Sequence, residues 1–192
     1  QTAPEQLPAL SGRLERFIND PGVQAVMATA LTDPSIKPEV QAAVLNAMIF
    51  SGLKTMPAAW SAPLQKHLSA TNPSLLEKTV KAVSTLSNGK PSAATATQLR
   101  NIVNDATLPA QIRLQALVAL PTTDRKLDRD LLAFLCENLD IENGISLRSL
   151  VTDILLSTPL NSKQLQVVAD ATETTGPMEL KRLMELFTKS GA

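Results

Sequence analysis

The chain has one cysteine, no tyrosine and an aromatic content of only 3%. A lone Cys136 excludes an internal disulfide framework and any cluster of thiolates around a metal. The shortage of aromatic, strand-favouring side chains argues against an all-β fold. Neither charge is in excess, because 18 Lys and Arg face 18 Asp and Glu. A dedicated nucleic-acid binder usually carries a basic surplus, since neutralising phosphates supplies most of its affinity. No apolar run approaches the roughly 18–20 residues of a membrane-spanning helix. A starting methionine and a signal peptide are also missing. A chain that opens Gln1-Thr-Ala-Pro is therefore expected to be a processed product or a piece of something longer.

What is present is aliphatic. Hydrophobic residues make up 44% of 192 positions, mostly Leu, Ala, Val and Ile, which suits close stacking of helices. The plan is clearest in Asp105-Ala-Thr-Leu-Pro-Ala-Gln-Ile-Arg-Leu-Gln-Ala-Leu-Val-Ala-Leu120. It reads as a turn, a proline placed for a helix start, and an apolar helix. The stretch from Asp33 repeats it without gaps: Val40 falls on Ile112, Val44 on Ala116, Leu45 on Leu117 and Met48 on Leu120.

Turn and cap signals divide the rest. Residues 1–9 are proline-rich and read as a linker or arm, leaving 10–192 as a single helical domain. Helices are expected at about 10–19, 22–32, 38–50, 58–70, 74–87, 93–105, 110–120, 125–138, 145–157, 162–174 and 177–189, most of them bounded by Asp-Pro, Asn-Pro, Asn-Gly or Gly-Pro turns. Met48, Leu86, Leu120, Ile154 and Phe187 take equivalent places near the ends of every second helix. They lie 38, 34, 34 and 33 residues apart. Two helices and two turns fill such a period, the unit of an α-solenoid. The length accommodates about five antiparallel helix pairs and a leading helix.

Helix pairs of this length, with Asp/Asn-Pro turns and an arginine early in the second helix, resemble HEAT repeats. The stretches that carry the likeness are 33–48, 72–86 and 105–120. The resemblance implies an all-α, right-handed α-α superhelix. The segment Ala169-Asp-Ala-Thr-Glu-Thr-Thr-Gly-Pro-Met-Glu-Leu-Lys-Arg-Leu-Met-Glu-Leu-Phe187 further resembles a repeat of large exported proteins of planctomycete-type bacteria. In that family such repeats sit between a sugar-dehydrogenase-like β-propeller and a c-type cytochrome domain. The likeness implies an extracytoplasmic spacer, and no redox residue within this stretch, which has no Cys-x-x-Cys-His.

Individual residues point to structure before chemistry. His67, the only histidine, has neither a catalytic partner nor companion ligands at metal spacing, and reads as a solvated or helix-end residue. Cys136 follows an apolar run beside Glu137 and reads as core, because a reactive thiol wants electropositive surroundings. Trp60 is expected to pack on the neighbouring repeat. Arg113 falls inside the apolar arc of its helix, where a charge needs a partner. Asp105 is the candidate, and Arg148 is expected to pair likewise with Asp140 or Asp153.

What remains is a polar stripe on the second helices. It contains Lys78 and Lys81, Gln111 and Gln115, Ser149, Thr152 and Asp153, then Lys181, Arg182, Glu185 and Lys189. Solenoids often dock partners along such a row. The expectation is a non-enzymatic scaffold with no cofactor, engaging another protein or flanking domains of the same polypeptide. The alternative is a HEAT-like DNA-binding or base-repair module. The balanced charge and few aromatics weigh against it.

Overall fold

The computed structural model describes residues 7–189. Among them are eleven α-helices and no strand. They are α1 (Leu7–Arg16), α2 (Pro21–Thr32), α3 (Pro38–Ile49), α4 (Ala58–His67), α5 (Pro73–Ser87), α6 (Ala93–Asn104), α7 (Ala110–Ala119), α8 (Arg129–Glu137), α9 (Ile145–Ser157), α10 (Ser162–Ala171) and α11 (Pro177–Lys189). None is long and apolar enough to cross a membrane.

Local chemistry sets most boundaries. Asp20 accepts hydrogen bonds from the N–H groups of Gly22 and Val23, and Asn72 does the same for Ser74 and Leu75. Each is followed by proline, whose missing N–H costs nothing in a first turn. Asn161 and Gln164 form a reciprocal capping box at α10. The turn after α5 reverses through Asn88 and Gly89, both at positive φ (47° and 73°), a region that Asn and Gly enter most readily.

A second device recurs where no side chain caps the following helix. Asp33, Asp105 and Asp140 each accept the N–H two residues on, from Ser35, Thr107 and Glu142. Their own carbonyls accept from Ile36, Leu108 and Asn143. The same folded turn thus leads into α3, α7 and α9. Eight positions after each Asp stands Gln41, Arg113 or Arg148, reaching back to backbone carbonyls of the preceding helix or turn. The repeat seen in the letters is a repeat of hydrogen bonds.

The helices pack in alternation. Neighbours along one row are α1, α3, α5, α7, α9 and α11. In the other row α2 packs on α4, α4 on α6, and α8 on α10. The core between them is aliphatic: Leu45 and Met48 of α3, Val80 and Leu86 of α5, Leu114 and Leu117 of α7, and Ile154 and Leu155 of α9 are almost wholly buried. Of the residues equivalent to Met48 along the repeat, only Phe187 is incompletely buried, because α11 closes the row of described helices.

Three expectations are corrected. Residues 7–9 belong to α1, since Pro8 is tolerated in a first turn; residues 1–6 and 190–192 lie outside the described residues. The helix expected at 125 starts at Arg129, capped by Asp128. Arg125 is drawn away from it. Its guanidinium donates to the carbonyls of Val118 and Leu120 at 2.9 and 3.1 Å and to Ser157 Oγ at 2.8 Å. It closes the open end of α7 instead of starting α8. Finally, the helix expected to run to 174 stops at Ala171 and ends in a 3-10 turn over Thr172–Thr174.

Candidate functional site

The expected partner face follows the row of α5, α7, α9 and α11. By the repeat period, Lys81, Gln115, Ser149 and Arg182 are equivalent, spaced 34, 34 and 33 residues. The last two touch: Arg182 Nη1 donates to Ser149 Oγ at 3.4 Å, and Nη2 pairs with the carboxylate of Asp153. Both partners of that ion pair are exposed, so it adds little stability. It does bring these two equivalent positions, on α9 and α11, into contact.

Lys78 sits beside this row, half-buried, with Nζ donating to Asn46 Oδ1 of α3 at 3.0 Å. Lys81 and Lys181 are exposed. Gln111 and Gln115 are half-buried, and the Oε1 of Gln115 is buried without a hydrogen bond. Thr152 does not belong to the face. It is 0% exposed, and its hydroxyl donates to the Arg148 carbonyl at 2.9 Å. A threonine that back-bonds to position i−4 satisfies its oxygen inside its own helix and packs like valine. The side chain of Lys189 lies outside the described residues.

The expected ion pairs are rearranged. Arg113 makes no ion pair with Asp105 among the described residues. Its Nε donates to the Val103 carbonyl at 2.9 Å, and its guanidinium lies 3.8 Å above the Phe134 ring. Asp105 instead accepts from the hydroxyl and N–H of Thr107. These bonds hold its carboxyl below the usual 3.8, with Arg113 contributing least. A carbonyl and an aromatic face stabilise the half-buried cation without a carboxylate.

Arg148 does find a carboxylate, but neither Asp140 nor Asp153. Its Nε lies 3.4 Å from Oε2 of Glu179, and the two side chains are 10% and 4% exposed. Nη1 also donates to the carbonyls of Ile141 and Asn143. Gly176 makes the room: a Cβ there would stand 2.7 Å from Glu179 Oε2 and 3.2 Å from Arg148 Nη2. Glu179 was hidden in the sequence because an acidic residue in a first helical turn is ordinary. The available signal was the glycine three positions before it, together with an arginine, Arg148, already expected to need a carboxylate.

The remaining singled-out residues bind one hairpin to the next. Trp60 is fully buried, and its Nε1 donates to the Gln24 carbonyl at 3.0 Å. His67 Nε2 donates to the Leu31 carbonyl at 2.7 Å. Both bonds span 36 residues and lay α4 on α2 in one register. His67 is thus a helix-end residue, though half-buried rather than solvated. Cys136 lies at the edge of the core, and burial, with Glu137 beside it, pushes its thiol up to about 11. Among the described residues no three of His, Cys, Asp and Glu are grouped to hold a metal ion. No family model, curated protein or solved structure matches the chain.

Proposed function

We propose that the chain is a non-enzymatic scaffold, a HEAT-like, right-handed α-solenoid of about five helix pairs. In this reading the row through Lys81, Gln115, Ser149 and Arg182, flanked by Lys78, Gln111 and Lys181, meets another protein or flanking domains of the same polypeptide. The observation that carries the reading is the contact of Arg182 with Ser149, 33 positions apart. It supports a row in which each hairpin contributes one polar position to a continuous surface. Such additive surfaces are how repeat arrays recognise extended partners.

The likeness to large exported proteins favours the flanking-domain form of this proposal, with an extracytoplasmic setting and the array as a spacer. The test is co-purification from the source organism with the wild-type protein and with Lys81→Glu/Gln111→Glu. Loss of a bound partner, or release of a flanking domain from proteolytic protection, supports the face. Retention of every partner by the variant removes it.

A further inference from the structure

The geometry points to a binding site for a small aliphatic anion in the cavity where α4, the end of α5 and the start of α6 meet. The cavity has a volume of about 420 Å³, within the range of small-molecule pockets. Its apolar floor is formed by Met56, Val83 and Leu86. At its rim stand two exposed lysines, Lys54 and Lys90, and the described residues that line it include no carboxylate. Two cations over an aliphatic floor match a ligand with one anionic head and a short hydrocarbon body.

A second feature borders the same cavity, since Ser87 is one of its lining residues. The hydroxyl oxygen of Ser87, the last residue of α5, is buried and has no hydrogen-bond partner. A serine at a helix end ordinarily returns its proton to a carbonyl one turn back, as Ser157 does to Asp153. A buried hydroxyl without a partner costs free energy, which a change of the Ser87 rotamer towards a ligand oxygen in the adjoining cavity recovers. The start of α6, with Ser92 and Thr95 on the cavity wall, adds its positive end to the same place.

The head group is a carboxylate or a phosphate monoester, and the probes separate these. Full-length protein is titrated with octanoate, octyl phosphate, octanol and inorganic phosphate, followed by amide chemical shifts. Saturable binding of octanoate or octyl phosphate is expected, with shifts confined to residues 54–61 and 83–95. Octanol and inorganic phosphate bind far more weakly, because each supplies half of the match. Lys54→Glu/Lys90→Glu weakens binding roughly tenfold or more. Ser87→Ala weakens it about threefold without lowering the unfolding midpoint, since the hydroxyl has no partner to lose. The site is overturned if neither amphiphile saturates below about 10 mM, if octanol binds as well as octanoate, or if both variants bind like wild type.

Discussion

Arg148 of α9 and Glu179 of α11 form a buried ion pair, Nε to Oε2 3.4 Å, in a space that a Cβ at position 176 would crowd. The pair joins two helices of one row and, through the carbonyls of Ile141 and Asn143, the turn before α9. Removing one partner strands a charge where water does not reach it. Glu179→Ala is expected to cost about 3–5 kcal/mol. Arg148→Met with Glu179→Leu costs somewhat less, because no charge is stranded, although the carbonyls of Ile141 and Asn143 lose their donor. Gly176→Ala is expected to cost about 1–3 kcal/mol in the wild type and distinctly less in the Glu179→Ala background, where the crowding oxygen is gone. Urea unfolding of the set checks this, and additive losses would contradict the contact.

Arg125 completes the end of α7 through a fork that lysine lacks. Its Nε and Nη2 take two carbonyls while Nη1 reaches Ser157. Arg125→Lys keeps the charge but leaves at least one half-buried carbonyl without a donor, at about 1–3 kcal/mol. The loss is read from the denaturation midpoint. A lysine variant as stable as the parent would show that the fork is unnecessary.

Cys136 is expected to be chemically quiet. With its thiol pushed up to about 11 by burial and Glu137, the thiolate is scarce near neutrality. Alkylation by iodoacetamide at pH 8 should run far slower in native protein than in urea, and accelerate with pH towards that value. Equal rates in the two states would contradict the buried environment.

The turns before α3 and α7 predict an acid limb. Hydrogen bonds from Ser35 and Thr107 hold Asp33 and Asp105 below their ordinary value of 3.8. A depressed folded value contributes stability that is complete above 3.8 and is lost as pH falls through the folded values. Asp33→Ala/Asp105→Ala should therefore be less stable than wild type near neutrality and converge on it in acid. Parallel stability curves down to about pH 2 would exclude the linkage.

Much of this architecture was legible because proline, Asp and Asn mark helix starts by local chemistry. α9 and α11 lie where their caps and turns placed them. α8 was misplaced because Asp124 and Asp128 both stand before the same apolar run. The choice between them depends on Arg125 finding the end of α7, a contact between distant atoms. The apolar-arc position of Arg113 and the need of Arg113 and Arg148 for partners were equally legible, but the partners themselves were not. Phe134 and Glu179 come from neighbouring hairpins, and helical periodicity carries no record of which side chain arrives from the next unit. Thr152 was misjudged for a different reason, since a hydroxyl that bonds its own helix looks polar in sequence and behaves as apolar in the core.

The most direct test of the scaffold reading is lysine cross-linking and mass spectrometry on the native protein isolated from its source. Lys81 and Lys181 mark the proposed face, while Lys66 on α4 and Lys163 on α10 mark the other row. The account predicts that links to residues outside these 192 positions concentrate on Lys81 and Lys181. Links that concentrate on Lys66 and Lys163, with Lys81 and Lys181 carrying only dead-end modifications, would show that the face is simply solvated.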